Sequence, residues 1–153
     1  MTDGERVTTD VPPEPGDGSP HPLADGETVR VVIVDDQAPF RSVARTLVGM
    51  IRGWAVVGEA ETGEDGVALS AALAPHMVLM DINLPGISGI DATRQIVREH
   101  PDTRVVLVST YAGDDLPEDA LSCGATGYLR KDDLTQRLLR SMLYRTEALD
   151  PAV

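Results

Sequence analysis

Apolar residues along the chain fall either into short unbroken runs or into stretches where they return every three or four positions. Val29-Arg30-Val31-Val32-Ile33-Val34 is a β-branched run that predicts a strand ending at Asp35-Asp36. Ala38-Pro39 opens a helix, with Pro in a permitted early position. Its apolar stripe is Phe40, Val43, Ala44, Leu47, Met50 and Ile51, up to Arg52-Gly53. Trp54 to Ala60 is a second strand. Glu61-Thr62-Gly63 turns into a helix carrying Val67, Ala68, Ala71, Ala72 and Leu73, up to Pro75. Met77 to Met80 shows no alternation, so it predicts a strand buried on both faces. That run stops at one acid, Asp81, and Leu84-Pro85-Gly86 follows as a tight turn. A third helix is expected from Gly89 to Glu99, with Ile90, Ile96 and Val97 inward, until His100-Pro101-Asp102 breaks it. Arg104 to Val108 is a fourth buried strand ending at Ser109-Thr110. Asp115 reads as the N-cap of a short fourth helix, with Pro117 in its first turn and Cys123-Gly124 closing it. Ala125 to Arg130 is a fifth strand. Asp132-Asp133 starts a last helix striped with Leu134, Leu138, Leu139, Met142 and Leu143.

Five strands alternating with five helices imply an α/β fold, a doubly wound parallel sheet with right-handed crossovers. Residues 1–28 differ in character. They hold Pro12, Pro13, Pro15, Pro20 and Pro22 among acids and glycines, and cannot bury enough apolar surface to offset their ordering entropy. They are expected to be a disordered acidic tail. Residues 29–148 form the domain and 149–153 a short C-terminal tail.

A chain of 153 residues with 42% hydrophobic content can build one core, and 3% aromatic content makes that core aliphatic. The formal charge of −12 argues against nucleic-acid binding by this chain, which would call for a basic stripe. No signal-peptide h-region opens the sequence and no apolar run reaches the length of a membrane span. A single cysteine, Cys123, cannot form an internal disulfide. These features predict a cytoplasmic protein with no membrane partner.

The candidate chemistry lies where the strands end. Open α/β sheets bind ligands at the carboxyl ends of their strands. There the first strand delivers Asp35 and Asp36, the third Asp81, the fourth Ser109 and the fifth Lys131. Lys131 is the one lysine of the chain, against twelve arginines; a compact ammonium is a different tool from a guanidinium fork. Carboxylates this close repel one another unless a hard cation joins them, and Mg²⁺ takes oxygen ligands. Asp36 and Asp81 are the natural direct ligands, with Asp35 acting through water or a hydrogen bond. Asp81 alone could do no more than end a strand and cap a turn. Within this set it is placed to be a nucleophile that forms an aspartyl-phosphate. Ser109 and Lys131 would then hold the other phosphate oxygens. His21, His76 and His100 are scattered and carry no metal role; Cys123 and Trp54 read as packing.

The segments Ile33 to Gln37 (IVDDQ), Leu79 to Gly89 (LMDINLPGISG), Val106 to Thr110 (VLVST) and Gly127 to Asp132 (GYLRKD) resemble the receiver domain of two-component response regulators. The likeness covers about Arg30 to Tyr144. It implies a flavodoxin-like sheet of order 2-1-3-4-5. It makes Asp81 the phosphoacceptor, Asp35 and Asp36 the acidic pair and the Asn83 carbonyl a further Mg²⁺ ligand. Ser109, with Thr110 beside it, matches the switch hydroxyl, Tyr128 the switch aromatic and Lys131 the phosphate-binding lysine. The phosphoryl donor would be a histidine kinase or phosphotransfer protein. Output would go to a downstream protein or to a homodimer through the face of the fourth helix, fifth strand and fifth helix. No turnover activity is expected beyond self-phosphorylation from a donor and slow self-dephosphorylation. Tyr111, with Asn83, would stand at the site mouth and slow water attack.

Two departures bear on this. Most receivers carry Pro after the lysine, and here it is Asp132, as in receivers that precede a helix-turn-helix output domain. Only Glu147 to Val153 follow the last helix, so a stand-alone receiver is favoured over a fragment of a DNA-binding regulator. An Asp-nucleophile phosphatase would carry a second acid where Asn83 stands. A phosphorylation-independent binding module would not need the complete acid set. A trans Lys131–Asp132 bond is expected, since cis before a non-proline residue costs about 3–4 kcal/mol, with the ammonium ion-paired to Asp81.

Overall fold

A computed structural model describes residues 26–110 and 116–144. Strands β1 (Val29–Val34), β2 (Trp54–Ala60), β3 (Met77–Asp81), β4 (Arg104–Ser109) and β5 (Gly127–Arg130) form one sheet of order β2-β1-β3-β4-β5. Every neighbouring pair is parallel. Between them run α1 (Ala38–Gly49), α2 (Gly63–Leu73) and α3 (Gly89–Glu99), and α4 (Gln136–Leu143) closes the described chain.

The runs without alternation are buried on both faces because successive residues feed two separate cores. Val31, Ile33, Met77, Leu79, Val106 and Val108 point to one side, where α1 and α4 add Phe40, Ala44, Val48, Leu139, Met142 and Leu143. Val32, Val34, Val78, Met80, Val105 and Leu107 point to the other, under Ile90, Ala92 and Ile96 of α3. Each large aliphatic side chain so buried contributes roughly 1.5–3 kcal/mol.

The helices differ from expectation in several places. On α1 Val43 is 60% exposed, and Met50, which follows the helix, is 63% exposed, while Val48 enters the core. The fully buried residues of α2 are small, Gly63, Gly66 and Ser70, with Val67, Leu69 and Leu73 partly buried against the core beside them, while Ala68, Ala71 and Ala72 are exposed. Thr62 caps α2 by accepting from the Asp65 amide at 3.0 Å. The helix ends at Leu73 because Ala74 takes a left-handed φ of 45° ahead of Pro75. The expected fourth helix is a single 3₁₀ turn, Glu118–Leu121, and Asp115 lies outside the described residues. The fifth strand starts at Gly127 rather than Ala125. Asp132-Asp133 belong to a 3₁₀ turn, Lys131–Asp133, and the last helix starts four residues later than expected. There the Thr135 hydroxyl accepts from the Leu138 amide at 3.1 Å. Among the described residues no helix is long and apolar enough to cross a membrane.

Candidate functional site

All four strand ends named from the sequence reach the same edge. Asp35 extends β1 by one step, its amide donating to the Ala60 carbonyl at 2.9 Å. Its Oδ1 accepts from the Gln37 amide at 2.8 Å, which bends the chain away toward α1. Asp81 is the last residue of β3, paired with Val108, and Ser109 lies one step beyond on β4. Lys131 follows the end of β5, which pairs Arg130 with Ser109.

Burial separates the three acids. Asp35 is fully buried, Asp81 is 5% exposed and Asp36 is exposed. One carboxylate oxygen of each lies within 4.8 Å of the others. Burial, and next the charge of Asp35, push the Asp81 carboxyl up to about 6, against the opposing pull of Lys131. The Asn83 amide donates to Asp81 Oδ1 at 3.4 Å.

Lys131 answers this charge, with a side chain only 10% exposed. Its Nζ stands 2.7 Å from Asp35 Oδ2 and 3.7 Å from Asp81 Oδ2. The expected partner, Asp81, is therefore the second one. The nearer partner is Asp35, the most deeply buried charge, where compensation is worth most. Lys131 also donates to Gln37 Oε1 at 3.2 Å and lies 4.8 Å from the centre of the Phe40 ring, a cation–π contact. No cis peptide bond occurs among the described residues, so Lys131–Asp132 is trans as expected.

Asp35 Oδ2 is buried and accepts no hydrogen bond of regular geometry, close as the ammonium is. A buried anionic oxygen in that state, beside two further carboxylates, fits a hard divalent cation. Asp35, Asp36 and Asp81 form the acidic cluster that could hold one.

The other expected residues divide. Ser109 is buried at the end of β4, Thr110 beside it is exposed and Tyr128 is half-buried against the core under α3. Tyr111 lies outside the described residues. Sequence reading missed Gln37 and Phe40. Gln37 carried a signal in following the acid pair directly. Phe40 was read as core, which it also is. It missed Gly89 as well, which opens α3 against the Asp81 carbonyl so closely that a Cβ there would collide with that oxygen.

The response regulator receiver domain matches residues 31–143. The response regulator GacA of Pseudomonas protegens is 43% identical over 103 residues, covering 67% of this chain and 48% of that protein. The response regulator UvrY of Escherichia coli K12 is 36% identical over 114 residues, covering 74% of this chain and 52% of that protein. The chain thus spans about half the length of the curated relatives it matches. Among solved structures, a LuxR-family two-component response regulator from Aurantimonas superposes with a TM-score of 0.72 at 31% identity. That match covers 82% of this chain and 92% of the other. The signal receiver domain of the NarL response regulator from Mycobacterium tuberculosis gives 0.69 at 32%, covering 78% and 99%. These relatives lend no support to the expectation that nucleic acid plays no part. With five parallel strands in the order 2-1-3-4-5 and a buried aspartate among acids and a lysine at their carboxyl edge, this chain belongs to the response regulator receiver domain family.

Proposed function

We propose that the chain is a phosphorylation-switched signalling receiver in the cytoplasm, with Asp81 as its phosphoacceptor. The observation that carries this is the meeting of Asp81, Asp35, Asp36 and Lys131 at one sheet edge. The donor is a phosphohistidine on a histidine kinase or phosphotransfer protein. An oxygen of the Asp81 carboxylate attacks phosphorus, the P–N bond to the imidazole breaks, and the freed nitrogen keeps the electron pair and later takes a proton. Slow attack of water on the acyl phosphate returns the carboxylate and releases inorganic phosphate.

Asp36, Asp81 and the Asn83 carbonyl would hold Mg²⁺, with Asp35 acting through water or a hydrogen bond, and the ion would neutralise charge at the phosphate oxygens. Lys131 is already aimed at the same place, and a phosphate on Asp81 gives its ammonium a stronger partner than Asp35. Ser109, with Thr110 at its side, offers a hydroxyl to the phosphate. Tyr128, half-buried on the next strand, follows the displaced β4 end. That movement alters the face of the Glu118–Leu121 turn, β5 and α4, and with it the affinity for a downstream protein or a second copy. Tyr111 and Asn83 restrain water at the mouth.

The test is incubation with acetyl phosphate and Mg²⁺, read by intact mass. One phosphoryl group is expected on the wild type and none on Asp81→Asn. Labelling retained in that variant would move the acceptor elsewhere.

A further inference from the structure

The loop after Asp81 is held from outside the site. Glu64, in the first turn of α2, reaches over to it, and its Oε2 accepts from the Ile87 amide at 3.2 Å. The same carboxylate fills the space above Gly86, where a Cβ would stand 2.6 Å from Oε2. Gly86 has a φ of +79°, a conformation that side chains other than glycine rarely adopt. One residue back, Gly63 is packed so closely on the loop that a Cβ there would lie 2.7 Å from Ile87 Cγ1 and 2.8 Å from Ile87 O. Two glycines and one carboxylate therefore fasten the start of α2 to Gly86-Ile87. That loop begins at Asn83, whose amide donates to Asp81 Oδ1, and leads into Gly89 at the start of α3, which abuts the Asp81 carbonyl.

We infer that Glu64 is a positioning residue for the phosphorylation site. Its carboxylate fixes the Asn83–Ser88 loop and thereby the setting of Asp81 and of the Asn83 carbonyl. It touches none of the reacting atoms. The cation part of this rests on the function proposed above; the loop part does not. An anion near a cation site attracts the cation through space, so position and charge must be told apart. Glu64→Gln removes the charge and keeps an acceptor oxygen; Glu64→Ala removes both.

Two measurements on the full chain test it. The first is amide hydrogen exchange of residues 83–88 without metal, which needs no phosphoryl chemistry. The second is Mg²⁺ titration by calorimetry. Glu64→Ala should speed exchange of the loop amides at least fivefold and weaken Mg²⁺ binding three- to tenfold. Its melting temperature should stay within a few degrees of the wild type, since the residue is exposed. Glu64→Gln should recover most of both effects. Gly86→Ala both displaces the carboxylate and strains the backbone at φ +79°, so it should speed loop exchange more than Glu64→Ala does. Unchanged loop exchange in Glu64→Ala would overturn the inference. So would Glu64→Gln losing Mg²⁺ affinity as fully as Glu64→Ala, which would make the effect one of charge alone. A wild type that binds no Mg²⁺ would instead count against the proposed function and leave the exchange result to decide the loop.

Discussion

At the scale of the residue, the site is a set of opposed charges held out of water. Asp81 carries the cost. Its carboxyl is raised to about 6, first by burial and then by Asp35. A carboxyl with a raised folded-state pKa keeps its proton in the folded chain after the unfolded chain has lost it. Its contribution to stability is therefore complete below about pH 4 and is lost as pH rises through 6. The difference corresponds to about 2–3 kcal/mol. In a metal chelator, Asp81→Asn should be more stable than the wild type by about 2 kcal/mol at pH 7.5 and nearly equal to it at pH 4. Urea unfolding at the two pH values checks this; a variant less stable at pH 7.5 would refute it. The identity of the charged residues was legible because acids, hydroxyl and lysine sat at the ends of successive apolar runs. The partnership of Lys131 was not. Which carboxylate it meets more closely depends on depth, and depth is a property of the assembled sheet rather than of spacing.

At the scale of the element, the strands were legible because a fully buried strand has to be apolar throughout. The helices were less so. Six apolar positions from Phe40 to Ile51 suit a helical stripe, yet α1 ends at Gly49 and has room for only one face against the sheet. Phe40, Ala44, Val48 and Ile51 take it, leaving Val43 and Met50 outside. Met50→Lys should accordingly change stability by less than about 0.5 kcal/mol. Ile96→Ala, in the fully buried stripe of α3, should cost about 2–5 kcal/mol. Thermal unfolding of both variants separates the faces, and equal losses would contradict the exposure of Met50. The short 3₁₀ turn at Glu118–Leu121 was over-read because an acid followed by proline and closed by glycine is a cap pattern without a stripe to support it. Gly89 was under-read for a related reason. A glycine at a helix start reads as a turn residue, whereas here it admits the Asp81 carbonyl. Gly89→Ala should cost about 1–3 kcal/mol through overpacking. It should also slow phosphorylation of Asp81 by acetyl phosphate, since the clash falls on the acceptor's own backbone. Unimpaired labelling would show that α3 yields without moving Asp81.

At the scale of the whole molecule, the question is how far the acidic balance reaches the site. Residues 1–25 hold six acids against one arginine, and the chain carries −12 in all. Charge far from a cation site raises cation affinity only within the screening distance, which is about 8 Å at physiological ionic strength. The carboxylates that matter are those within 4.8 Å of one another, and all three lie in the described domain. Mg²⁺ binding to the folded form alone should stabilise by about 2.7 kcal/mol at a hundred times its dissociation constant. That is a rise on the order of 10 °C in melting temperature for a domain of this size. A chain beginning at Gly26 should melt within a degree or two of the full chain in chelator. It keeps Glu27, whose Oε2 meets His76 Nε2 at 3.1 Å, and all three carboxylates of the cluster, so it should also show the same Mg²⁺-induced rise at 0.15 M salt. At about 0.01 M salt the screening length grows to roughly 30 Å. There the shortened chain should bind Mg²⁺ more weakly than the full one. A shortened chain that loses the Mg²⁺ response at 0.15 M salt would place part of the cation site in the first 25 residues. One that melts far lower without metal would give those residues a place in the fold.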